Sequence, residues 1–135
     1  MPKRSFSRSI FTVSENFYER FGGAAAFERL AHKFYENVKK DELLRPMYPD
    51  SDFEGAQRRL QMFLEQYWGG PHTYSEERGH PRLRMRHAPF SIGPAERDAW
   101  LACMKPAVDE LGLSDELHGE LWGYLEGAAT FMINQ

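Results

Sequence analysis

Cysteine is almost missing from this chain: Cys103 stands alone among 135 residues. One thiol excludes a disulfide framework and any zinc site built on cysteine pairs. Long apolar runs are missing too, and none approaches the twenty or so residues that a membrane helix needs. The first dozen residues carry Lys3, Arg4 and Arg8 but no apolar core, which argues against a signal peptide. The cytoplasm is therefore the expected compartment. There is no basic excess: the net charge of −3 gives no general case for nucleic-acid binding. Repeats, low complexity and a second composition are lacking, so one domain over 13–135 is expected behind a flexible tail over 1–12.

The period-2 alternation of a strand is absent except over Pro81–Arg86, a short run that opens on a proline. Helical spacing is present in four places. Phe27, Leu30, Ala31, Phe34, Tyr35 and Val38 share one face of the first. Ala56, Leu60, Phe63, Leu64 and Tyr67 share a face of the second, with Glu54, Gln57, Arg58, Gln61 and Glu65 on its other side. Asp52 is the expected N-cap of that helix, and Gly69-Gly70-Pro71 ends it. The third spans about Pro94 to Leu111, with Trp100, Leu101, Met104, Val108 and Leu111 inward. The fourth starts at Ser114 and buries Leu117, Leu121, Tyr124, Leu125, Ala128 and Met132. A short helix is expected around Glu15–Arg20. The fold class is therefore all-α. Two features stand out. Pro106 falls deep in the third helix, where it predicts a kink near Ala102–Pro106. The stretch Gly69–Gly93 reads as a long loop, and such loops usually carry function.

That loop holds the most specific chemistry, G-H-P-R-L-R-M-R-H-A-P-F over Gly79–Phe90. Arg82, Arg84 and Arg86 alternate with Leu83 and Met85, and His87 follows. Apolar residues can pack on a flat hydrophobic ligand while guanidinium groups meet carboxylates at its edge. A neutral imidazole just after them can ligate a metal at the ligand's centre. Haem has all three parts, and without Cys-x-x-Cys-His it is held non-covalently. The plainer readings stay open: three arginines in a loop are often solvated charge or a phosphate patch. His32, His72, His80 and His118 pair with no second ligand at helical spacing, so zinc is not supported. The aromatic content of 14% is high. Tyr35, Tyr67 and Trp100 occupy core positions, where they are either packing residues or, with Tyr48, donors to an oxygen ligand.

These residues together resemble a group II truncated haemoglobin of the bacterial, O-type kind, from Phe17 onward. The resemblance rests on F-G-G before the first long helix, F-L-E-Q-Y-W-G-G-P at Phe63–Pro71, R-G-H-P-R-L-R-M-R-H-A-P-F at Arg78–Phe90 and E-R-D-A-W at Glu96–Trp100. It implies a truncated globin, a two-over-two helical sandwich with a long loop before the proximal histidine. It implies haem b with His87 as proximal iron ligand. Tyr35, Tyr48 and Trp100 become the distal hydrogen-bonding set. Ala56 takes the place where many globins carry a distal histidine, and Leu60 and Phe63 line the distal wall. Arg59 and Arg86 are expected at the propionates, with Tyr67 and Tyr74 as lesser contacts. Leu83, Met85, Phe90 and Met104 complete the expected cofactor wall. The implied partners are O₂, with NO, CO or peroxide as further ligands, and a reductase for the iron. A homodimer is among the assemblies it allows. Two functions follow: reversible binding of O₂, or a haem redox enzyme with peroxidase-like or nitric oxide dioxygenase activity.

Overall fold

The structure, a computed structural model, describes residues 16–48 and 52–135. The expected tail over 1–12 lies outside the described residues. Helix α1 (Phe17–Phe21) opens the fold, its N-terminus capped where Asn16 Oδ1 accepts from the Glu19 N–H at 3.0 Å. Gly22 and Gly23 then turn the chain with φ of +119° and +67°, a left-handed pair that side chains resist. They lead into α2 (Gly23–Lys39), followed by a short 3-10 turn at Arg45–Met47, α3 (Phe53–Tyr67), α4 (Thr73–Arg78), α5 (Leu83–His87), α6 (Pro94–Asp109) and α7 (Asp115–Phe131). No strand occurs among the described residues, and Pro81–Arg86 contributes to a helix.

Helix α2 is the axis of the fold. It packs against α3 on one side and α6 on the other, and α6 packs on α7. This is the two-over-two sandwich, built from the expected pairs. Its centre is Phe27, Leu30, Phe34 and Val38 of α2, with Leu64, Met104, Val108, Leu121 and Leu125 against them, all essentially sealed from solvent. Burial of each such side chain stabilises the fold by about 1.5–3 kcal/mol. The apolar stripe of α3 splits in two. Phe53, Leu64 and the following Trp68 join the core, while Leu60 and Phe63 are only half-buried and face a cavity. Glu65, expected on the outer side, is buried, and its carboxylate accepts from Gln61 Nε2 at 3.1 Å. Asp52 does precede α3, but its side chain makes no cap and bonds Arg59 instead.

One further expectation is met and another revised. Pro106 lies inside α6, which continues past it to Asp109. The proline supplies no N–H to the preceding turn, and Asn37 of α2 donates to the Cys103 carbonyl there at 2.8 Å. The stretch Gly69–Gly93 is not structureless, since it contains α4 and α5. Gln66 holds α4 to α3 through two bonds to Ser75, at 2.7 and 3.0 Å. Arg58 meets Glu77 through a two-pronged pair at 2.7 Å. Gly70 lies flat on Tyr18, so close that a Cβ there would come within 2.6 Å of the ring. At the far end Asn134 clamps the chain after α5, donating to the Phe90 carbonyl at 2.9 Å and accepting from the Ile92 N–H at 2.9 Å.

Burial also fixes how this core answers to alkali. It pushes the Cys103 thiol up to about 11 and the Tyr124 phenol up to about 12. Both groups bind their protons more tightly folded than unfolded, where they titrate near 9.0 and 10.0. Stability is then fully present below pH 9 and falls as pH rises beyond it, because the unfolded chain ionises first. Urea midpoints at pH 7 and pH 10.5 are expected to show the loss, and equal midpoints would contradict it.

Candidate functional site

A cavity of about 490 Å³ lies where α2, α3, α4 and α5 converge. His87, the last residue of α5, is on its wall. The imidazole Nδ1 lies 2.6 Å from the Leu83 carbonyl oxygen. A carbonyl only accepts, so Nδ1 carries the proton and donates. Nε2 is thereby left as the free lone pair, the form in which a neutral imidazole binds a metal. Arg86 braces the same turn, with Nε donating to the Pro81 carbonyl at 2.8 Å and Nη2 to the Arg78 carbonyl at 3.1 Å.

Tyr35 of α2 and Tyr48, just after the 3-10 turn, both line this cavity. Their rings meet edge to face with centroids 5.4 Å apart. Burial, then the neighbouring Tyr48, raises the Tyr35 phenol well above the ordinary tyrosine value. Burial raises Tyr48 as well, while a hydrogen bond from Tyr35 draws it back down. Both hydroxyls therefore stay protonated through neutral pH and remain donors. Ala56, small and buried, leaves room beside them, and Leu60 and Phe63 add apolar wall. Tyr74, Leu83 and Phe90 complete it, Tyr74 buried and Phe90 exposed.

The rim is basic. Arg59, Arg78 and Arg86 all line the cavity, against the single carboxylate of Asp52. Arg59 Nη2 bonds Asp52 at 2.6 Å. Gly55 permits that pair, since a Cβ there would run into both side chains. Arg78, Met47 and Asp52 were missed by the sequence reading. Arg78 opens the R-G-H-P-R motif, so its signal was present. Met47 and Asp52 had none, because a turn and a cap position say nothing about what they face.

Other expected site residues lie elsewhere. Met104 is sealed in the core and lines no cavity wall described here. Trp100 is half-buried and packs on Phe34 with centroids 5.1 Å apart, a ring that also meets Tyr35 at 4.9 Å. It is absent from the wall that holds the two tyrosines. Tyr67 is 52% exposed and stacks on Tyr124 at 4.0 Å, so it is no core residue. Tyr67 and Met85 line a second cavity of about 620 Å³, which shares only Phe63 and Leu83 with the first. The reason is the helical turn of α5. A strand would send Leu83 and Met85 to one side, whereas a helix turns Met85 away, toward α7.

The donor set fits a haem. One imidazole has a fixed tautomer and a free Nε2, the walls are apolar, and guanidinium groups stand at the edge. Residues 16–134 match the family described as bacterial-like globin. The chain is 47% identical to group 2 truncated hemoglobin YjbI of Bacillus subtilis over 113 residues, 84% of this chain and 85% of that protein. Among solved structures it resembles a thermostable hemoglobin from the actinobacterium Thermobifida fusca, with TM-score 0.87 and 57% identity, covering 89% of this chain and 98% of that one. It also resembles a truncated oxygen-avid haemoglobin from Bacillus subtilis, with TM-score 0.83 and 45% identity, covering 89% of this chain and all 100% of that one.

Proposed function

Because this chain belongs to the bacterial-like globin family, among the group II truncated haemoglobins, we propose that it binds haem b non-covalently and holds O₂ reversibly. The family itself implies haem and the binding of diatomic gases. One observation carries the reading to named residues: the His87 Nδ1–H bond to Leu83, which leaves Nε2 free in a cavity that also holds Tyr35 and Tyr48. When bound, haem would supply the iron that takes the gas. His87 would hold that iron through Nε2. Arg59, Arg78 and Arg86 meet the carboxylates at the edge, with Asp52 competing for Arg59. The Tyr35 hydroxyl donates to Tyr48, whose own hydroxyl would donate to the gas, in a cavity whose low dielectric strengthens each bond.

Oxygen is then released slowly, as befits a likeness to a haemoglobin called oxygen-avid. A reductase is needed to keep the iron ferrous. The partner of His87 bears on the alternative enzymatic reading. A carboxylate there would make the imidazole a strong electron donor, but the partner is a backbone carbonyl, which favours gas binding over peroxidase chemistry. Turnover of peroxide with a reducing substrate, and nitric oxide consumption by the oxygenated protein, test this. Negligible rates in both are expected, and sustained turnover in either would shift the function to an enzyme. Trp100 acts here through packing. Trp100→Phe is expected to change oxygen dissociation by less than about threefold, well short of a lost charge-assisted bond. A change of tenfold or more would restore Trp100 as a direct donor.

A further inference from the structure

We propose that the second cavity is a binding site for a free long-chain fatty acid. It lies between α5 and α7, and its volume of about 620 Å³ falls in the range of small-molecule sites. Its floor is a trough along α7. Gly123 and Gly127 are one helical turn apart, and a Cβ on either would meet no atom within 4 Å. Large apolar side chains gather at its mouth: Met85 is 60% exposed, Phe131 59% and Tyr67 52%. Single exposed apolar residues are ordinary, but three around one cavity mark a surface made to be covered.

The two charged side chains on this cavity are both arginines. His80, Arg82 and Arg84 line it, and no carboxylate does. Arg84 is partly occupied, with Nη1 donating to the Phe131 carbonyl at 3.2 Å and its guanidinium 5.4 Å above the Phe131 ring. Arg82 is different. It has φ of +46°, and among the described residues it is the non-glycine residue with positive φ. Such a backbone is strained and gathers at functional positions. The Arg82 N–H donates to His80 Nδ1 at 3.2 Å, which steadies the bend. Its guanidinium has no hydrogen-bond or ion-pair partner among the described residues.

An apolar trough with a free guanidinium at its edge suits a ligand with one long apolar chain and one terminal anion. The planar guanidinium fork matches a carboxylate. A lipid bilayer is a poorer match, because an anionic membrane calls for a broad basic face and this chain carries a net charge of −3. The proposal does not depend on the haem reading, since the two cavities share only Phe63 and Leu83.

Laurate titrated calorimetrically into the purified, haem-loaded protein tests it. One saturable site per chain is expected, with no change in the Soret band. Gly127→Leu fills the trough and replaces a helical glycine with a better helix former, so it is expected to fold at least as well. It should weaken laurate by about tenfold or more, as should Arg82→Gln, each loss corresponding to about 1.4 kcal/mol. Four results would overturn the proposal. They are no saturable binding, binding that survives either substitution, laurate that displaces or ligates the haem, and co-sedimentation with phosphatidylglycerol vesicles in place of laurate binding.

Discussion

Replacing His87 with alanine is expected to abolish the five-coordinate ferrous spectrum and to leave haem weakly held at best. The argument is geometric. The Leu83 carbonyl at 2.6 Å takes the Nδ1 proton, so the ring has one direction left in which to bind iron. Around it, Arg86 ties the turn to Pro81 and Arg78, and Asn134 ties the next turn to Phe90. No other histidine lines that cavity. Among the described residues no group of three or more His, Cys, Asp or Glu can hold a metal. Substitution of residues that merely support a metal ligand typically costs about 10–100-fold in affinity, and loss of the ligand itself should cost more. Haem content and the ferrous spectrum of His87→Ala measure this, and added imidazole is expected to restore the spectrum. Full haem content with an unchanged spectrum would place the iron on another residue.

The second large effect is expected at Tyr48. Tyr48→Phe keeps the ring, and with it the packing on Tyr35 and Phe53 at 5.4 and 5.8 Å. Only the hydroxyl is lost. A hydrogen bond to a charged or strongly polar partner is worth about 1.5–3 kcal/mol, so oxygen should leave about 10–100-fold faster. Stopped-flow oxygen dissociation reads this directly. Tyr35→Phe distinguishes the two phenols. The single Tyr35 proton is committed to Tyr48, so its loss leaves the Tyr48 donor in place. A smaller effect is expected there, and a larger one would reverse the roles. Neither phenol ionises near neutrality, because burial raises both. The dissociation rate should therefore stay flat between pH 6 and 9 as far as these donors are concerned.

The long helices were legible because each buries a row of side chains at helical spacing. Phe27, Leu30, Phe34 and Val38 needed nothing more to reveal α2. Of the short helices, α1 was expected around Glu15–Arg20, but α4 and α5 were not legible, with six and five residues, too few to repeat an apolar face. That single miss propagated. Read as an extended run, Arg82–Arg86 put Leu83 and Met85 on one side, whereas the helix leaves Leu83 on both cavities and Met85 on the second alone. Tyr67 misled for a related reason. Its position continues the stripe of α3, yet the core runs from Leu64 to Trp68 and leaves Tyr67 on the second cavity. Trp100 sits at an inward position of α6 and packs on Phe34, which also touches Tyr35, a relation between helices that spacing along one chain does not encode. Arg59 was identified as a cavity cation, although nothing in the sequence indicated that Asp52 would hold it.

The absorption spectrum of the purified protein, reduced with dithionite and then exposed to carbon monoxide, tests the central claim most directly. The account predicts a Soret band on purification. Reduction should give the spectrum of a ferrous haem with histidine as its one protein ligand, and carbon monoxide should convert it fully to the spectrum of an imidazole-ligated carbonyl. A protein that carries no Soret band, and takes up none when haem is supplied, would contradict it. So would a reduced spectrum with two protein ligands that carbon monoxide fails to displace.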